Sequence, residues 1–140
     1  MMQTKKIRDG YVVRLDKGEE LVDSLLKFAR QEKITAGTIS GIGAVTNVTL
    51  GYFDREKREY LQKRFEEVYE LVSLQGSVAT IDDEPALHLH LIISDRDYSP
   101  RAGHLLSAEV AVTGEIFVRS YGEPLWRKKD PEFGLNLLKL

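Results

Sequence analysis

The sequence predicts an α+β domain, a mainly antiparallel β-sheet with one main helix packed on it. Three observations lead there. Only residues 19–33 repeat their apolar side chains at a helical period. After them come several segments rich in β-branched and aromatic residues, separated by turn formers, with no second helical segment to alternate with them. The chain has 140 residues, the size of one domain that buries a core without staples. It therefore reads as a single domain over 1–140, with a core at about 10–118 and a C-terminal tail at 119–140.

Residues 10–16 (GYVVRLD) carry the composition of a short strand. Asp16 stands three residues before Glu19, the spacing of a helix-capping pair with Asp in place of Ser or Thr. In 19–33, Leu21, Leu25, Phe28 and Ala29, with Val22 and Leu26 beside them, form an apolar face. Glu20, Asp23, Lys27, Arg30 and Glu32 fill the other. The period then changes. Residues 35–54 carry Gly37, Gly41, Gly43 and Gly51 among β-branched residues, which reads as strand with bulges. The charged turn 54–59 (DREKRE) leads to a returning strand at 60–65, a hairpin. Further strands are expected at 68–82, with Gly76 as a break, and at 86–94, after the turn Asp82-Asp83-Glu84-Pro85. A polar loop at 95–103 and a long strand at 105–118, interrupted at Gly114, follow. The tail holds Pro124, Pro131 and the cluster Arg127-Lys128-Lys129, which reads as solvated charge.

Composition narrows the function. Twenty Lys+Arg against 22 Asp+Glu leave a net charge of -2, which lacks the basic excess of a protein built to grip phosphates. With no Cys, disulfides, thiolate ligands and Cys nucleophiles are excluded. The N-terminal residues are polar and basic, without the apolar stretch of a secretory signal, and no run approaches the roughly 18 residues of a membrane span. The expectation is a soluble, cytoplasmic protein with no membrane partner. The glycines of Gly41-Ile42-Gly43 do not make a dinucleotide loop, because Thr46 stands where a third Gly is needed and the sequence after it is β-rich. Neither a phosphate-binding Gly-Lys-Ser/Thr sequence nor a Gly-x-Ser-x-Gly elbow is present.

The chemistry concentrates in the histidines, His88, His90 and His104. In Leu87-His88-Leu89-His90-Leu91-Ile92-Ile93, strand alternation puts Leu87, Leu89, Leu91 and Ile93 on one face and both imidazoles on the other, with Cα atoms about 6 to 7 Å apart. Two neutral imidazoles at that spacing reach one small ion, and His104, beyond the polar loop and next to Gly103, is placed to return as a third. Three nitrogen ligands with an open fourth position is the arrangement of catalytic zinc sites. A surface histidine pair with an incidental third is the alternative. On the strand 105–118, Glu109 and Glu115 share a face and are candidates to orient an imidazole or activate water if that strand lies beside the histidines. Solvated carboxylates on a half-exposed face are the alternative for both.

Gly41-Ile42-Gly43-Ala44-Val45, Leu50-Gly51-Tyr52-Phe53-Asp54, the stretch 69–77 (YELVSLQGS), His88-Leu89-His90 and Gly103-His104-Leu105-Leu106 follow one another in the order of the PPC ("plants and prokaryotes conserved") domain. The chain resembles the stand-alone prokaryotic form of that family from about residue 10 to 118 or beyond. The domain also occurs in plant AT-hook nuclear proteins. The resemblance implies a mainly antiparallel sheet with one helix, assembly as a homotrimer, and a metal at His88, His90 and His104, zinc or another divalent transition metal. It also brings an association with DNA, although this chain has no Arg-Gly-Arg-Pro hook. Trimerisation has a physical motive of its own, since it protects edge strands and covers an open sheet face. Three functions are therefore expected: an oligomeric, metal- or ligand-binding module with a regulatory or DNA-associated role; a metal-dependent hydrolase or lyase on a small molecule; or a direct DNA binder. The binding module is preferred because metal ligands are in view and a nucleophile is not.

Overall fold

In the computed structural model, which describes all 140 residues, the segment of helical period forms the one helix and the rest of the chain forms nine strands. In order these are β1 (Gln3–Ile7), β2 (Gly10–Asp16), α1 (Leu21–Gln31), β3 (Gly37–Asp54), β4 (Glu59–Phe65), β5 (Tyr69–Ile81), β6 (Glu84–Ser94), β7 (Pro100–Ser120), β8 (Trp126–Lys129) and β9 (Asn136–Lys139). All strand pairs are antiparallel except the single parallel bridge between Thr80 of β5 and Trp126 of β8. The expected α+β class, with a mainly antiparallel sheet and one helix packed on it, is what the chain adopts.

The helix buries Leu21, Leu25, Phe28 and Ala29 against β6 and β7. Its cap differs from the expected Asp16–Glu19 pair. The Glu19 carboxylate does reach back to the Asp16 N–H at 2.7 Å, but the helix starts two residues later, with Glu20 as N-cap. One Glu20 oxygen accepts the Asp23 N–H at 2.6 Å and the other accepts the Ala108 N–H of β7 at 2.9 Å. A single carboxylate thus caps the helix and ties it to the sheet. At the other end Ile34 N–H bonds the Ala29 carbonyl and Lys33 N–H the Arg30 carbonyl, with Lys33 at φ 53°. This is a Schellman stop with lysine in the left-handed position that glycine usually takes.

The sheet closes on itself. β3 is bonded to β5 and β7, and β6 lies between β5 and β7. With 21 residues, β7 is long enough to change neighbours, pairing with β6 at residues 100–104 and with β2 at 113–119. β4 extends the second half of β3 as the expected hairpin. The core fills the space between the inward faces of these strands and the helix, with Leu89, Leu91 and Ile93 of β6 in it. Leu87 is only partly buried, at the rim.

Several expectations are corrected. The polar N-terminus forms β1, whose five residues are all exposed and which is held by backbone bonds to β2. A strand without a buried face leaves no period in the sequence. The C-terminal tail, residues 119–140, carries two strands that sequence reading did not place: β8 and β9 form a hairpin fastened by the bridge to β5 and by Thr80 N–H bonding the Leu125 carbonyl at 2.7 Å. The turn after β5 is Asp82-Asp83 alone, both at positive φ (48° and 64°), so β6 begins at Glu84. The polar loop is shorter than expected, because β7 starts at Pro100. β5 runs unbroken through Gly76, and β7 is continuous through Gly114, although its pairing with β3 skips there from Gly114 to Val110. A Cβ at Gly76 would lie 2.0 Å from the His88 carbonyl oxygen, so glycine there permits β5 and β6 to close up. No helix is long and apolar enough to cross a membrane.

Replacing Gly76 by Ala should therefore force β5 and β6 apart at the histidine strand, with a cost of about 1–3 kcal/mol in urea unfolding. An unchanged urea midpoint would show that the two backbones have slack at this point.

Candidate metal centre

The alternation that buries Leu89, Leu91 and Ile93 turns His88 and His90 outward on β6. The β6–β7 register places His104 directly opposite His90. What brings the register about is the short turn at Asp95, whose carboxylate accepts the N–H groups of Asp97 at 2.9 Å and Ser99 at 3.0 Å and pairs with Arg101 at 2.8 Å. The three rings then stand 4.9, 5.3 and 5.4 Å apart between centroids. One ring nitrogen from each lies within 4.8 Å of the others, and Nε2 of His88 is 3.1 Å from Nε2 of His90.

Two neighbours hold the cluster. Gly51 of β3 is opposite His104 in register, and a Cβ there would lie 2.8 Å from the Tyr60 ring. The bare backbone lets Tyr60 cross from β4 and stack on His104, at 4.5 Å between centroids and 22° between planes. From the other side, Ser77 of β5 is opposite His88, and Arg127 of β8 donates Nη2–H to the Ser77 Oγ at 3.1 Å. Neither Tyr60 nor Arg127 was expected at the site. One is an ordinary aromatic of a returning strand and the other one of three adjacent cations, so neither carries a sequence signal.

Although part of His88 reaches solvent, the surroundings of His88 and His104 favour neutral rings. Burial pushes His104 down to about 4, with the charges of His88 and His90 acting in the same direction. Burial, then His90 and Arg127, also lower His88. A neutral imidazole keeps a lone pair free, which is the form that binds a metal. The fit to an ion can be tested on the geometry. Two nitrogens at 2.0–2.1 Å from one tetrahedral ion are about 3.3 Å apart, close to the spacing of the His88 and His90 nitrogens. In addition, the buried Nδ1 of His104 has no hydrogen-bond partner, a cost that coordination or a bound group relieves. His88 and His90 fit two positions around one metal ion, and His104 stands beside them as a third donor, with a ring nitrogen within 4.8 Å of theirs.

The carboxylates do not join them. Glu109 lies five residues beyond His104 along β7, roughly 16 Å at strand rise. It accepts the Asn47 Nδ2–H at 3.2 Å and forms a backbone bridge with Glu20. Glu115 is farther still, exposed between Arg14 of β2 and Ile42 of β3. Both were expected near the imidazoles only if β7 ran beside β6 along its length, and that pairing stops at His104.

A cavity of about 210 Å³ opens from this cluster, lined by His88, His104, Tyr60 and Arg127 and by apolar side chains of β6 and the C-terminal hairpin.

Residues 2–122 match the Plants and Prokaryotes Conserved (PCC) domain. Among solved structures, a protein of Bacteroides thetaiotaomicron described as a DNA-binding candidate is 37% identical, with a TM-score of 0.97 over 99% of this chain and 97% of that one. A protein of Archaeoglobus fulgidus described as metal-containing is 36% identical, with a TM-score of 0.86 over 100% and 97% of the two chains. A Synechococcus bifunctional protein GlmU is 31% identical over 127 residues, 89% of this chain, and this chain spans only 19% of that protein's length.

The low pKa of His104 has a consequence for the metal-free protein. Between about pH 6.5 and 4 the unfolded chain takes up a proton at this imidazole and the folded chain does not, so stability must fall as pH falls through that interval. Wild type should lose more stability there than His104→Asn in paired denaturation curves. Parallel losses would show that the fold does not hold this ring neutral.

Proposed function

Since this chain belongs to the Plants and Prokaryotes Conserved (PCC) domain family, we propose that it is a self-associating binding module that holds one divalent transition metal, zinc foremost, on His88, His90 and His104. The observation that supports this most is the convergence of three imidazoles to within 4.8 Å, two of which the surroundings shift toward the neutral form. The metal-containing relative from Archaeoglobus fulgidus supports it as well. His88 and His90 supply ligands from one strand, and His104 supplies the third across the pair. Tyr60 restrains the His104 ring by stacking on it. When bound, such an ion supplies Lewis acidity and an acidified water at its remaining position.

The cavity beside the histidines favours a second reading, a metal-dependent hydrolase or lyase acting on a small molecule. In that reading Glu109 and Glu115 have no part, being held elsewhere on β7. The net charge of -2 and the lack of a hook sequence oppose direct DNA binding. Self-association as a trimer is supported by the exposed apolar side chains Ile42, Val72 and Val112, which adjoin one another on the outer surface and which a partner copy would cover.

Elemental analysis of tag-free protein should find close to one transition-metal ion per chain, and His88→Ala/His90→Ala should have none while keeping its circular dichroism. Equal metal content in the two proteins would remove the histidine site. Stripping the ion with a chelator should lower the melting temperature and adding zinc should restore it, since a ligand of the folded state stabilises it. Light scattering should give three times the chain mass of 15.9 kDa, and a monomer mass would end the trimer proposal.

A further inference from the structure

The C-terminal hairpin brings one charged group to the cavity that nothing in the chain neutralises. Arg127 is half-buried on β8. Its Nη1–H bonds the Asn136 carbonyl at 3.0 Å, its Nη2–H bonds the Ser77 hydroxyl at 3.1 Å, and its Nε is buried without a partner. Both of its partners are neutral, and it takes part in none of the chain's ion pairs. A partly desolvated guanidinium without a counter-ion is costly unless an anion comes to it. It is the one cationic side chain lining this cavity.

The rest of the cavity says what kind of anion. Ile81, Leu87, Leu135 and Leu137 give it an apolar wall, and His88, His104 and Tyr60 close the other side. Its 210 Å³ is the space of roughly seven waters, below the range of pockets that take drug-sized ligands. A planar guanidinium fork matches a carboxylate. A phosphate dianion carries more charge than the one cation of this cavity offsets, and the apolar wall gives its remaining oxygens no donors. We propose that this cavity binds a small organic carboxylate with an apolar body, its carboxylate paired with Arg127 and its other end directed toward His88 and His104. Only the role of that far end rests on the metal-centre reading; the anion pocket itself does not. The residue that defines it lies outside the family match, which ends at residue 122. The module thus takes its ligand preference from the hairpin.

Calorimetry on the full chain tests this, with benzoate and 4-methylpentanoate as probes, benzamide as the uncharged control and inorganic phosphate as the competing anion. Each titration is run on zinc-loaded and chelator-treated protein, with metal content measured on the same samples. At least one carboxylate should bind wild type, with benzamide and phosphate at least roughly tenfold weaker. Arg127→Ala should weaken the carboxylate by a similar factor and Arg127→Lys by less, because the charge stays and the fork is lost. Arg127→Gln, which keeps an amide donor for the hairpin, should match Arg127→Ala, so a loss caused by unfolding of one variant is recognised by melting. Carboxylate binding that survives chelation and needs Arg127 supports the proposal even if the histidines prove metal-free. Binding that disappears on chelation and ignores Arg127 assigns the carboxylate to the ion and overturns it. So does equal affinity for phosphate, or no binding by either carboxylate.

Discussion

The pairing of β6 with the first five residues of β7 is the constraint on which the rest of this structure depends. It puts His104 opposite His90, and it is set by a turn whose geometry one side chain governs. The Asp95 carboxylate accepts two backbone N–H groups of the turn and the Arg101 guanidinium of the returning strand. Those bonds and Arg101 hold its carboxyl below the usual carboxylate range, so it is ionised wherever the protein is folded near neutral pH. A slip of one residue would send His104 to the other face of the sheet, and the burial of Leu91 and Leu105 on the inner face opposes any such slip. The core and the histidine cluster are two sides of one register.

Around that register, missing side chains matter as much as those present. Gly76 lets β5 approach the His88 carbonyl, and Gly51 leaves the space that the Tyr60 ring fills. Both sit on strands that pair with the histidine-bearing strands, so the positions that bring backbones together also shape the walls of the cluster. The closed ring β3–β5–β6–β7 then makes the strands mutually dependent, since moving one would break two sets of backbone bonds.

Burial lowers the pKa of both kinds of cation that meet here, with different outcomes near neutral pH. It drives the imidazoles of His88 and His104 toward their neutral form, which leaves lone pairs free. An arginine has no such exit, because even lowered by burial its pKa keeps it charged near neutral pH. One site therefore places neutral imidazoles of His88 and His104 beside a persistent positive charge, the pairing on which the proposed metal and carboxylate sites rest.

The sequence by itself determined the class of fold, the one helix and its buried face, the β3–β4 hairpin, and the outward direction of His88 and His90. Each of these follows from a local period of 3.6 or 2 that burial imposes on neighbouring residues. It also held the identity of the third histidine, because only one other exists. What it did not contain is the pairing of distant strands. β1 and the β8–β9 hairpin have few buried side chains and so leave no period, and their places are decided by backbone bonds to strands remote in the chain. Glu109 and Glu115 looked eligible because they share a face of β7, but β7 changes partner at His104 and takes them away. Arg127 was one charge among three until the hairpin folded over β5 and half-buried it alone of the three. Direction along a strand is a local property of the chain; which strand stands beside it, and therefore which residues share a site, is decided only when the sheet closes.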